Sequence, residues 1–278
     1  MRWFSLLFDL ACIFVAGLLI AFLFSNYNSL ENNNQNKMLV EVIEEKMETS
    51  KESEIIEIED KNESSIIEYY NEALVETDAP VFSGMTMSSS GGPQILIYHT
   101  HTSETYVDDI GTVVDVGALL TDLLRAKGYN VIHDTTVNDL DYNNSYEQAY
   151  ENVEKILKEN PSIQCIIDVH RDSATKNMVV EDNGIEYAKL MLVVGTNVRL
   201  TNALWEDNLS FAKAIHINCM ENIDEIIKPI YLSKNRYNQH LCQNSVIVEV
   251  GGLENTIFQA LNATYVLADA IDNSLKGK

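Results

Sequence analysis

The spacing of apolar and polar positions changes character twice along the chain. From Trp3 to Phe24 it reads WFSLLFDLACIFVAGLLIAFLF, apolar throughout except for Ser5 and Asp9. A bilayer-spanning helix needs ~20 such residues. The Phe-Leu-Phe-Ser-Asn exit also lacks the small-x-small site of a cleaved signal peptide. Residues 1–25 are therefore expected to form an uncleaved transmembrane signal anchor. Residues 26–92 show no sustained period. Between Glu31 and Asp78 there are 15 Asp or Glu against 4 Lys, and the tract closes on SGMTMSSSGGP. Like charges that repel one another, followed by Ser and Gly, predict an acidic flexible linker.

From residue 93 the chain alternates between two periods. ILIYHTH reads as a short buried strand. VVDVGALLTDLLRAKG carries apolar residues at helical spacing and stops at Gly128, and YNVIHD follows as a second strand. SYEQAYENVEKILKENP is a helix with a Ser start and a Pro stop, leading into the strand SIQCIIDVH. YAKLMLVVG is a further strand and NALWEDNLSFAKAIHINCMENI a long helix. NSVIVEVGG is a final buried strand, and ENTIFQALNATYVLADAIDNSL closes the chain as a helix. Strands alternating with helices predict an α/β fold, a mostly parallel central sheet flanked by helices, occupying residues 93–278 as one catalytic domain.

Composition narrows the function classes. A net charge of −23 argues against a nucleic-acid partner, because a phosphate backbone demands clustered Lys and Arg. No glycine-rich phosphate loop follows the first strand. Cys12, Cys165, Cys219 and Cys242 show no Cys-x-x-Cys pairing, and one of them falls in the anchor, so free thiols are expected rather than a disulfide framework.

Chemistry-bearing residues gather where strands end. Ligands of open α/β sheets bind beyond the carboxyl ends of the strands. The first strand ends at His99 and His101, with Glu104 just beyond; the third ends IIDVHRDS at His170; the last carries Glu249 just before Gly251-Gly252. Two imidazoles and a carboxylate are ligands that Zn2+ accepts, with an open fourth position in catalytic sites. A two-residue strand period places Ile97, His99 and His101 on one face, and a tight turn at Thr102-Ser103 brings His101 and Glu104 to one ion. His99 then supports the site or is satisfied by a backbone carbonyl. The competing arrangement is a three-histidine site of His99, His101 and His170, with Glu104 behind it. Glu249, among apolar neighbours, suits a general base. Arg171 and Asp172 either orient His170, contact substrate carboxylates or form a structural ion pair. Glu254 and Asn255 are expected to cap the last helix, and His133, His216 and His240 are expected to be non-ligands.

At these residues the sequence resembles the stage II sporulation protein P family. The resemblance is carried by ILIYHTHTSETY, IIDVHRDS and RYNQHLCQNSVIVEVGGLENT, in the family's order, and covers essentially all of residues 93–275. It implies a zinc N-acetylmuramoyl-L-alanine amidase fold with zinc held by His101, Glu104 and His170, and Glu249 as the catalytic glutamate. Glu104 follows the first histidine more closely than in the wider amidase family. The implied activity is cleavage of the amide between the muramyl lactyl group and L-alanine in peptidoglycan, with peptide cross-links as a second target. The implied setting is a single-pass cell-membrane protein of sporulating cells, its catalytic domain outside the cytoplasm in the septal space. Implied partners are a lytic transglycosylase and a localising membrane protein. Two other readings compete: a non-catalytic wall-binding scaffold, and another exported zinc hydrolase such as a polysaccharide deacetylase.

Overall fold

In chain order the elements are β1 (Ile95–Tyr98), α1 (Val113–Ala126), β2 (Val131–His133), α2 (Ser145–Glu159), β3 (Cys165–Asp172), β4 (Val179–Asp182), β5 (Ile185–Ala188), β6 (Leu190–Gly195), α3 (Trp205–Asn222), β7 (Tyr231–Ser233), β8 (Asn244–Gly252) and α4 (Ile257–Leu275). Short 3-10 turns lie at Tyr142–Asn144 and Gln239–Leu241. The computed structural model describes residues 82, 84, 94–107, 109–173 and 178–277. The expected anchor, and all but two positions of the expected linker, lie outside them. Among the described residues no helix is long and apolar enough to cross a membrane. Cys165, Cys219 and Cys242 are free thiols.

Local sequence explains the starts of two helices. Thr112 opens α1 with a capping box: Val114 N donates to its side chain at 3.2 Å, and its own N–H donates to Asp115 Oδ2 at 2.8 Å. Thr256, not Asn255 or Glu254, caps α4, through a second box with Gln259. Asn255 is used otherwise. Its Oδ1 accepts from Gly252 N at 2.9 Å, and its Nδ2 donates to Gln259 Oε1 at 3.0 Å.

The main sheet runs β2-β1-β3-β8-β6-β7. All neighbours are parallel except β6 and β8, which pair antiparallel. After β3, expected and observed strands differ in three places. The stretch YAKLMLVVG is two strands, parted at Lys189, rather than one. Its first residues belong to a β4–β5 hairpin whose turn residues Asn183 (φ 51°) and Gly184 (φ 78°) are both left-handed, as a type I′ turn requires. β7 is three residues long, too short to show a period.

Strand alternation sorts side chains onto two faces. Ile95, Ile97, Ile167, Val169, Val246 and Val248 pack with residues of α1, α3 and α4 in the principal core. Leu96, Tyr98 and Ile166 pack on Ala149 and Val153 of α2 on the opposite face. Further along that second face, Ile247 and Glu249 of β8 and Met191 and Val193 of β6 line a cleft. The site therefore lies where the second face passes from apolar packing to open space.

Gly117 of α1 tests how tightly the first face is closed. A Cβ there would stand 2.6 Å from His99 Cε1 and 2.8 Å from His133 Nε2. Gly117→Ala is expected to lower stability by about 1–3 kcal/mol, the usual range for overpacking. Denaturant unfolding reads the effect directly, and an unchanged midpoint would mean that the two rings yield freely.

Candidate active site

β1 ends at Tyr98, so the chain leaves the sheet before either histidine of the first motif. His99 keeps to the α1 side. Its Nδ1 lies 3.0 Å from Val169 O, which can only accept, so Nδ1 carries the proton and Nε2 accepts from His133 Nε2 at 2.9 Å. Burial lowers the His99 pKa to about 4, keeping the ring neutral. His101 turns the other way. It stacks on Tyr142 with ring centroids 4.5 Å apart and meets His170 edge-on at 5.4 Å and Tyr146 at 5.7 Å. The expected common face for His99 and His101 is therefore not observed, because alternation persists only while the backbone stays extended.

The expected turn at Thr102-Ser103 does form, with Glu104 N donating to His101 O at 3.4 Å. Asp139, from the loop after β2, braces it by accepting from Thr102 Oγ1 at 2.5 Å and Ser103 N at 2.9 Å. Asn138 Nδ2 donates to His99 O at 2.9 Å from the same loop.

The turn delivers Glu104 to the end of β3. Its Oε2 lies 3.5 Å from His170 Nδ1 and accepts from Arg171 N at 3.0 Å. Arg171 ties the two segments together a second time, its Nε donating to Thr105 O at 2.8 Å. Asp172 pairs instead with Lys228 Nζ at 2.9 Å. On its other edge, His170 Nε2 stands 3.0 Å from Asp168 Oδ1, close enough to attract but off the line of a hydrogen bond. Asp168 is itself held by Thr100 N at 2.9 Å and Thr100 Oγ1 at 2.6 Å. Burial disfavours both charges, yet the opposite charges outweigh it. The His170 pKa is held well above the ordinary imidazole value and that of Asp168 below the usual carboxyl value.

Two of the expected donors are spaced as ligands of one zinc ion would be. Two ligands on one tetrahedral zinc, with bonds near 2.0–2.2 Å, lie about 3.4 Å apart, close to the 3.5 Å between His170 Nδ1 and Glu104 Oε2. His101 Nδ1 is buried without a hydrogen-bond partner. A carboxylate behind a histidine, as Asp168 stands behind His170, is the usual outer support of such a ligand. Among the described residues no three of these groups already converge on one point; the pairwise spacing and the orphaned imidazole atom carry the fit.

Glu249 faces this cluster from the next strand. It is in register with His170 on β3 and with Met191 on β6. The side chain is partly exposed at the wall of a cleft of about 290 Å³ shared with Tyr146, Tyr231 and Tyr237, but its Oε2 is buried and has no hydrogen-bond partner. Burial pushes its pKa up to about 7; His170 pulls it down, while Glu104, Asp172 and Asp168 add to the rise. A carboxyl half-ionised near neutrality can both take and return a proton.

His133 is engaged with His99. His216 lies on α3, and His240 stacks on Tyr150 at 5.7 Å. Sequence reasoning passed over Asp168, Asp139, Tyr146 and Tyr237. Only Asp168 had a signal, an acid two residues before His170 in an apolar strand and so on the same face. The others reach the site from loops and a helix start, where no local pattern marks them.

Fold and cluster together define an open-sheet α/β protein with a histidine–carboxylate centre at the carboxyl ends of its strands. The family model for stage II sporulation protein P matches residues 17–272, and the chain belongs to that family. Stage II sporulation protein P of Bacillus subtilis (strain 168) is 27% identical over 202 residues, a match covering 63% of this chain. It covers 49% of that relative, so the chain spans about half of its length. Two solved structures are similar in arrangement. N-acetylmuramoyl-L-alanine amidase AmiC2 of Nostoc punctiforme is 13% identical with a TM-score of 0.43, over 67% of this chain and 97% of that one. The catalytic domain of CwlV, an N-acetylmuramoyl-L-alanine amidase from Bacillus (Paenibacillus) polymyxa var. colistinus, is 13% identical with a TM-score of 0.44, over 66% and 95%.

Proposed function

We propose that this chain is a zinc-dependent peptidoglycan hydrolase that cleaves the N-acetylmuramoyl-L-alanine amide during sporulation. The observation that carries the reading is Glu249: a carboxyl with a buried, unpartnered oxygen and a pKa near 7, in register with His170, which has Glu104 and His101 beside it. His101, Glu104 and His170 would hold the zinc, and Asp168 would orient His170. A zinc ion at such a site supplies Lewis acidity toward a carbonyl and toward water. Glu249 takes a proton from the attacking water and returns it to the amine as the carbon–nitrogen bond breaks. The Tyr146 and Tyr237 rings wall the cleft. Family membership adds the rest of the proposal: a membrane-anchored enzyme acting outside the cytoplasm at the septum, with a lytic transglycosylase and a localising membrane protein as partners.

The test is incubation of the full chain with purified peptidoglycan, with zinc or after chelation, followed by mass analysis. Soluble peptides with a new amino-terminal L-alanine, intact glycan strands and about one zinc per chain are expected. Acetate release without amide cleavage would replace this reading with a deacetylase. Wall binding without turnover would replace it with a scaffold.

A further inference from the structure

The cleft at Glu249 shares two of its walls, Tyr146 and Tyr237, with a larger groove of about 720 Å³. The two rings lie 5.2 Å apart. Arg199 and Arg236 line that groove together with Asn235 and Asn238. This placement runs against the chain as a whole, which carries 42 Asp plus Glu and only 19 Lys plus Arg. Neither arginine has a carboxylate partner among the described residues. Arg199 Nη1 donates to Asn235 Oδ1 at 2.9 Å and Arg236 Nη1 to Thr201 O at 3.2 Å, while Arg236 Nε is buried with no hydrogen-bond partner. Glu147 also lines the groove but is exposed.

We propose that this groove is the subsite for the peptide arm of the substrate, and that Arg199 and Arg236 bind its free carboxylates and determine specificity. The inference rests on the proposed amidase reading for the identity of the substrate. In the bond concerned, the lactyl carboxyl of the muramyl sugar is consumed by the amide, so the N-acetylated glycan side presents no anion. The peptide side keeps free carboxylates. Planar guanidinium groups match carboxylates in both charge and geometry. Two unpaired guanidinium groups on one side of Glu249 therefore orient the substrate: the leaving peptide extends past Tyr146 and Tyr237 into the groove, and the glycan lies on the other side of the scissile bond.

The experiment compares a soluble muropeptide bearing free carboxylates with the same molecule amidated, using the zinc-loaded full chain. The parent is expected to show a KM lower by about tenfold or more for the acidic form, the effect of one or more charge-assisted hydrogen bonds. Arg199→Gln with Arg236→Gln is expected to remove most of that difference in KM. Arg199 is exposed, so Arg199→Gln alone serves if the double variant is less stable. A second arm measures equilibrium binding of the glycan-free stem peptide to the metal-free full chain and its variants. Arginine-dependent peptide binding in a parent that cleaves nothing supports the subsite and overturns the hydrolase reading instead. Turnover without discrimination between the two forms overturns the subsite. So does peptide binding that is absent or survives both substitutions, or arginine-dependent binding of a peptide-free glycan fragment.

Discussion

Glu249→Gln is expected to reduce amide hydrolysis by about 10²–10⁴-fold, the range for loss of a positioned acid–base group, while zinc content and fold persist. The substitution keeps shape and volume and removes the basicity needed to accept the proton. Peptide release from purified wall measures it, and a rate within threefold of the parent would sink Glu249 as the general base. The same pair of proteins carries a pH signature in the metal-free state. The folded pKa of Glu249 is about 7 against an ordinary 4.5. A carboxyl whose folded pKa is raised contributes stability fully below the unfolded value and loses it as pH rises through the folded one. The parent should therefore lose roughly 1–3 kcal/mol between about pH 4.5 and 7.5, at about 1.4 kcal/mol per pKa unit and allowing for partial exposure. Glu249→Gln should not lose it. Thermal unfolding of both proteins across that window reads the difference; parallel curves would contradict the burial of Oε2 as the cause.

His101→Ala and His170→Ala are each expected to lower zinc from about one per chain to near background, and hydrolysis with it. The two variants should differ in stability. His101 packs by ring stacking on Tyr142, and its loss leaves no charge stranded. Removing His170 leaves Asp168 buried with hydrogen bonds from Thr100 and Tyr98 but no opposite charge, and breaking a buried pair from one side costs about 3–5 kcal/mol. Metal analysis beside denaturant unfolding separates the two effects. Full zinc content in either variant would exclude that histidine as a ligand. His99→Ala is the matching control. Its nitrogens are engaged by Val169 O and His133, so zinc content should hold, whereas the three-histidine arrangement requires it to fall.

How much of this was legible depends on the range of each physical cause. The buried runs ILIY, CIIDVH and NSVIVEVGG announce strands because β-branched and aliphatic residues covered on both faces leave no polar alternation. The starts of α1 and α4 follow from side chains that reach only three residues. The Asn183-Gly184 turn was equally local and readable, but the apolar stretch beyond it drew the hairpin into the next strand. The antiparallel placement of β6 against β8 had no signal, since apolar spacing reports burial and not direction.

The candidate site divides along the same line. Sequence by itself placed His101, Glu104, His170 and Glu249 where strands end and ligands of such sheets collect. It also determined the turn that brings Glu104 back toward β3. Tertiary structure decided how those groups are arranged. Ending β1 at Tyr98 sent His99 to His133 and His101 to the opposite face, and β3–β8 register set Glu249 opposite His170. The long-range pairs, Glu104 beside His170 and the Arg199–Arg236 groove beyond Tyr146, join segments far apart in the chain. Local propensity acts over a few residues, whereas pairing of distant strands is settled by which arrangement buries the apolar faces and leaves buried charges with partners.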